Sequence, residues 1–154
     1  MEKHKDFIVI IKVLVDLYKE NKSSKHLKKI LVTTIRMLEY VSPVQVSKLA
    51  QKQAKKMGLD KLTKYNWEDQ TKNGGMKDKG RKIFHWEHYY PVEQIIKELV
   101  KLEKLDDRSI YKVIKKTKIV WILKSENKKL DKIAKSIRPN PKLSYKKAGI
   151  VIVK

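Results

Sequence analysis

The sequence predicts an α+β fold in which a helical N-terminal half joins a mixed C-terminal half. Three observations carry that expectation. Apolar residues recur at helical spacing in the first stretch of the chain, β-branched and aromatic runs stand beyond residue 82, and a Gly- and Lys-rich segment separates the two. A chain of 154 residues has room for a single domain spanning residues 1–154. Within it residues 1–70 read as helical, residues 71–82 as a basic Gly-rich loop and residues 83–154 as mixed.

Ile10, Ile11, Leu14, Leu17 and Tyr18 predict a first core helix, and Leu27, Ile30, Leu31, Ile35 and Leu38 a second, with residues 21–24 as the break. A third helix is expected from its punctuation: Ser42 as N-cap, Pro43 at the first helical position, Gln45 completing an S-x-x-Q capping box, and Gly58 as the stop. Its buried face would carry Val46, Leu49, Ala50, Ala54 and Met57, leaving Lys48, Lys52, Lys55 and Lys56 in water. Residues 71–82, TKNGGMKDKGRK, hold three of the five glycines and five basic residues, so they read as a loop. Such a loop is either a mobile connector or a segment that lays Lys77, Lys79, Arg81 and Lys82 on a phosphate backbone.

Residues 82–90, KIFHWEHYY, have strand character and end at Pro91. Ile95, Ile96, Leu99, Val100 and Leu102 give a helix that Asp106 and Asp107 break. Residues 117–124, TKIVWILK, predict a second strand, and Ser125 is the expected N-cap of a helix through Lys135 with Leu130, Ile133, Ala134 and Ile137 on its apolar side. The RPNP turn at 138–141, a short helical YKKAG and a last strand IVIVK close the chain. Trp67 and Trp121 read as core residues.

Charge narrows the function. Lys and Arg number 38 against 17 Asp and Glu, a net charge of +21, and such a field attracts polyanions. Nucleic acid leads, double-stranded DNA first. An anionic membrane is disfavoured, because the basic residues are spread along the chain rather than gathered in one juxtamembrane cluster. The most apolar run, residues 7–15, contains Lys12 and is far shorter than the roughly 20 residues a membrane span needs. No small-residue cleavage site follows it, and the expected setting is the cytoplasm. The absence of cysteine removes thiol catalysis and Cys-ligated zinc. A homodimer is left open.

The residues richest in chemistry are His85, Trp86, Glu87, His88 and Pro91: two imidazoles and a carboxylate at a strand end, able to bind metal and move protons. The spacing is not H-E-x-x-H on a helix, which excludes a zincin. Glu87-His88-Tyr89-Tyr90-Pro91 resembles the acidic-His-x-x-Pro signature of the HNH, or ββα-metal, nucleases. The order strand, strand IVWIL, helix SENKKLDK is similar to theirs too. Asn127 and Asp131 lie one helical turn apart.

The resemblance covers about half the chain and implies a C-terminal ββα-metal-like element packed with the helical half. It also implies a DNA endonuclease with one Mg²⁺ or Mn²⁺ ion. His88 would be the general base, Glu87, Asn127 and Asp131 would hold the ion, and Arg138 would pair with a phosphate. In these terms Glu87 and His88 should both face the helical turn that carries Asn127. The Asn or His that such nucleases carry between the strands is missing between Pro91 and Ile119, and an inserted helix lengthens that connection. Two other readings stand beside this one. The first is a non-catalytic DNA-binding module with a helix-turn-helix-like segment at residues 38–59, and the second is an RNA-binding basic protein.

Overall fold

The computed structural model describes residues 2–70, 75–134 and 137–153. Along the chain run α1 (Lys5–Glu20), α2 (Lys25–Met37), β1 (Val44–Ser47), α3 (Lys48–Lys56), β2 (Phe84–His88) and α4 (Val92–Val100). They are followed by α5 (Asp107–Ile114), β3 (Ile119–Leu123), α6 (Lys124–Ile133), α7 (Pro141–Lys147) and β4 (Ile152–Val153). The fold is therefore mixed α and β. It divides into two compact units, Met1–Pro43 with Tyr90–Lys118, and Val44–Tyr89 with Ile119–Lys154. The composition change at residues 71–82 lies inside the second unit.

The first unit is built from α1, α2, α4 and α5. Ile8, Ile11 and Val15 of α1 pack with Leu31 and Ile35 of α2, Ile95, Ile96 and Leu99 of α4, and Ile110, Val113 and Ile114 of α5 in one apolar cluster. Ser24 caps α2 by accepting the Leu27 N–H at 3.3 Å. Two expectations are corrected here. Ile10, Leu17 and Ile30 are exposed rather than core: α1 turns Ile8, Ile11 and Val15, flanked by Phe7, Leu14 and Tyr18, toward the cluster, and α2 turns Leu31 and Ile35. The Asp106-Asp107 break is itself a helix start: the Asp106 carboxylate accepts the Ser109 N–H at 2.8 Å and opens α5.

The second unit is a four-stranded sheet in the order β2-β3-β1-β4. β3 pairs antiparallel with β2 and parallel with β1, and β4 joins β1 antiparallel. Alternation along the strands separates two layers. On one face Val46, Phe84, Trp86, Ile119 and Trp121 pack with Ala50 and Ala54 of α3 and with Leu59, Leu62 and Met76. On the other, Val120 and Ile122 pack with Leu130 of α6 and Tyr145 of α7.

The third helix starts later than its punctuation suggested. Residues 44–47 form strand β1, not a first helical turn. Val44 and Val46 alternate with Gln45 and Ser47, a period-two pattern that can pair on both sides, and this outweighs the S-x-x-Q box. The working cap is Ser47, whose hydroxyl accepts the Ala50 N–H at 3.1 Å. Residues 38–59 hold a short 3-10 helix (Leu38–Val41), strand β1 and a single α-helix, α3, so the two α-helices of a helix-turn-helix do not form there. Gly58 does end α3, at φ +72°, with Leu59 N–H donating to the Ala54 carbonyl at 2.9 Å. Leu49, expected inside, is exposed.

The chain passes from β3 into α6 without a loop, and Glu126 rather than Ser125 caps the helix. Its carboxylate accepts the Leu123 N–H at 2.9 Å and the Ser47 hydroxyl at 2.6 Å. The expected end at Lys135 lies outside the described residues. Ile133 and Ile137 are exposed, which leaves Leu130 as the buried apolar residue of α6. Asn140 caps α7, its side chain accepting the Leu143 N–H at 3.0 Å, and Pro141 takes the first helical position.

Candidate nucleic-acid interface

Glu87 and His88 are consecutive in β2, so they leave the sheet on opposite faces. Glu87 shares its face with His85, opposite Val120 and Ile122 in the register, on the side that α6 and α7 cover. His88 lies on the side of Phe84 and Trp86. The expectation that both face the Asn127 turn is therefore corrected: a strand cannot direct neighbouring side chains to one point.

The Glu87 carboxylate is buried and fully engaged. One oxygen accepts from the Arg138 guanidinium and the other lies 2.9 Å from His85 Nε2. Burial alone would raise the Glu87 pKa. The His85 hydrogen bond, with the charge and hydrogen bond of Arg138, outweighs that and holds it below its ordinary value. Arg138 is 3% exposed and also donates Nε–H to the Ala134 carbonyl at 3.0 Å. This overturns its expected phosphate contact, since a guanidinium sealed against a carboxylate has no free fork. Beyond the pair, Lys124 Nζ stands 3.4 Å from His85 Nδ1. The neighbouring Tyr145 hydroxyl is buried and unpartnered, and burial, with the Glu87 charge second, raises its pKa well above the ordinary value.

Asn127 and Asp131 do share one side of α6, with Asn127 Nδ2 donating to Asp131 Oδ2 at 3.1 Å. The Asn127 Oδ1 is buried without a partner, while Glu87 is engaged by Arg138 and His85. Among the described residues no group of three or more His, Asp or Glu is placed to hold a metal ion. Of the expected Mg²⁺ or Mn²⁺ ligands, Glu87 is taken up by Arg138 and His85, and no step is derived through a metal.

The basic loop is more ordered than its composition suggests. Residues 71–74 lie outside the described residues. From Gly75 to Phe84 the chain wraps the Asp78 carboxylate, which is 1% exposed. Its Oδ1 accepts the N–H groups of Lys82 at 2.9 Å and Ile83 at 3.0 Å. Its Oδ2 accepts the Phe84 N–H at 2.9 Å and the Gln70 side-chain amide at 2.8 Å. Lys77, Lys79 and Lys82 point outward and are exposed. Arg81 is laid over the Trp67 ring, its guanidinium carbon 3.6 Å from the centroid.

Charge is unequally shared. The helical unit holds 17 Lys and Arg against 10 Asp and Glu, and the sheet unit 21 against 7. Three of those seven carboxylates, Asp78, Glu87 and Glu126, are buried and internally bonded, so few acids remain to offset the lysines on the sheet unit's surface.

Sequence reading singled out Lys77, Lys79, Arg81 and Lys82 but missed Asp78, Gln70 and Trp67, which organise them. The available signal was an Asp four to six residues before three backbone donors in a Gly-rich turn. In comparisons with known proteins, the chain matches no family model, no curated protein and no solved structure.

Proposed function

We propose that the protein binds nucleic acid, with duplex DNA as its ligand, through the phosphate backbone and the sheet unit. The observation that carries this is the charge partition: the unit with 21 basic residues against 7 acidic ones also buries three of the acids. Duplex is favoured over single strands because single-strand binders stack bases on open aromatic faces. Here Trp86 and Trp121 are buried and Arg81 covers Trp67. The test is the affinity for a fluorescent duplex from about 50 to 200 mM salt, where log K should fall by about 0.9 per phosphate neutralised. A flat salt dependence, or equal retention of an uncharged polymer, overturns the proposal.

One observation favours a second reading, phosphodiester hydrolysis on the same ligand. Glu87 accepts from His85, so with the proton on Nε2 the imidazole is oriented and its Nδ1 lone pair faces Lys124. His85, not His88, would then take the proton of an attacking water, and Lys124 would meet the phosphate charge. Plasmid cleavage by His85→Ala and His88→Ala, with Mg²⁺, Mn²⁺ or EDTA, tests it. Loss confined to the His85 variant supports this reading, and equal cleavage by both sinks it.

A further inference from the structure

The loop around Asp78 has features that a solvated connector does not need. Lys77 and Arg81 both hold positive φ, 54° and 51°, a region that non-glycine residues seldom adopt. They bracket a turn closed by the Arg81 N–H on the Asp78 carbonyl at 2.9 Å. Oδ1 of the buried carboxylate accepts from two donors and Oδ2 from three, the Ile83 N–H being shared between them, so the turn is fixed from inside. Met76 anchors one end in the α3 face of the sheet. Outside, the turn spaces three exposed lysines around an arginine whose guanidinium carbon sits 3.6 Å from the Trp67 ring centroid. Contact of this kind restrains the guanidinium, and its Nε is buried without a partner. The terminal nitrogens are then the edge left for an acceptor. A planar fork held in advance suits a phosphate, which takes two parallel N–H bonds.

We infer that residues 76–83 form a preorganised phosphodiester clamp. Arg81, seated on Trp67, engages one backbone phosphate of the duplex, Lys77, Lys79 and Lys82 engage its neighbours, and Asp78 is the positioning residue that shapes the loop without touching DNA. This rests on the duplex-binding reading and adds where and how the backbone is gripped. Because the ordering is done before binding, less entropy is lost when the phosphate arrives.

The clamp and a diffuse positive surface predict opposite signs for one substitution. Asp78→Asn removes a negative charge and takes the net charge above +21, so simple attraction predicts tighter binding. In the clamp it weakens binding, because whichever way the amide turns, its NH₂ faces donors that the carboxylate accepted. Arg81→Lys keeps the charge but loses the fork and the stack. Both variants are compared with wild type and with Lys22→Ala, a charge loss in the helical unit, by duplex titration across salt, with thermal melting to verify folding.

The clamp predicts affinity about tenfold lower for Asp78→Asn and Arg81→Lys, the size of a lost charge-assisted hydrogen bond, and a far smaller change for Lys22→Ala. If Asp78→Asn does not fold, Arg81→Lys carries the test alone. Steep salt-dependent binding by wild type with Arg81→Lys unchanged overturns the clamp and leaves duplex binding standing. Failure of wild type to bind duplex overturns the duplex-binding proposal and the clamp with it.

Discussion

The two units solve the burial problem in opposite ways. Among the described residues the helical unit buries no charged side chain, and its core is an aliphatic cluster from four helices. The apolar residues it does not bury, Val9, Ile10, Val13 and Leu17 among them, are simply left on the surface of α1. The sheet unit buries Asp78, Glu87, Glu126 and Arg138, each hydrogen-bonded to named partners, Glu126 through Oε2 alone. A charge inside a protein costs several kcal/mol unless it is paired and hydrogen-bonded. The sheet unit therefore spends part of its stability on fixing loop and strand positions, while the helical unit uses burial for stability alone. Buried polar groups specify geometry, and geometry is what a binding surface requires.

The largest expected effect separates the units by their response to a broken ion pair. Glu87→Ala leaves Arg138 buried without its counter-charge, which should cost about 3–5 kcal/mol. Hydrogen exchange should show lost protection in β2, β3 and α6. Loss spread evenly over α1, α2, α4 and α5 as well would dissolve the distinction between the units. The converse change, Leu99→Ala, removes a fully buried side chain from the helical cluster and should cost about 2–5 kcal/mol. Duplex affinity measured below the melting transition should not change.

Acid gives a smaller, signed effect. The folded Glu87 pKa lies below its ordinary value of 4.5. On acidification the unfolded chain therefore takes up this proton first. The group's contribution is complete above 4.5 and is lost as pH falls through the lowered folded value. A melting series in acid should show Glu87→Gln less sensitive than wild type in that window, and identical pH profiles would remove Glu87 from the account. The smallest effect is Ser24→Ala, loss of the α2 cap, worth about 1 kcal/mol and confined to the helical unit.

The same contrast explains what was legible in the sequence. Helices α1, α2 and α4 follow from aliphatic spacing, because an aliphatic core needs only a stripe of the right period. β2 and β3 were legible from their β-branched and aromatic runs, whereas α6 was placed without its cap, Glu126, or its single buried apolar residue, Leu130, being singled out. β1 was not: local capping signals at Ser42 and Gln45 competed with alternation of Val44 and Val46, and the parallel partner that decides the matter, β3, lies far along the chain. At the candidate site the residue types were visible and their partners were not. Glu87 looked free to bind an ion because Arg138, the residue that occupies it, is 51 positions away. Conversely, the lysines of the 71–82 loop were visible while the buried Asp78 behind them passed for one more surface charge.

The central claim is that the sheet unit, not the overall positive charge, grips the duplex. It is tested most directly with two triple variants of equal charge loss at exposed positions, Lys77, Lys79 and Lys82→Ala in the loop before β2 against Lys22, Lys25 and Lys29→Ala just before and within α2. Duplex affinity is measured across salt. The loop variant should lose affinity, with the slope of log K against log salt reduced by about 0.9 for each phosphate contact removed, while the α2 variant keeps the wild-type slope. Equal loss in the two variants, or a larger loss in the α2 variant, would contradict it.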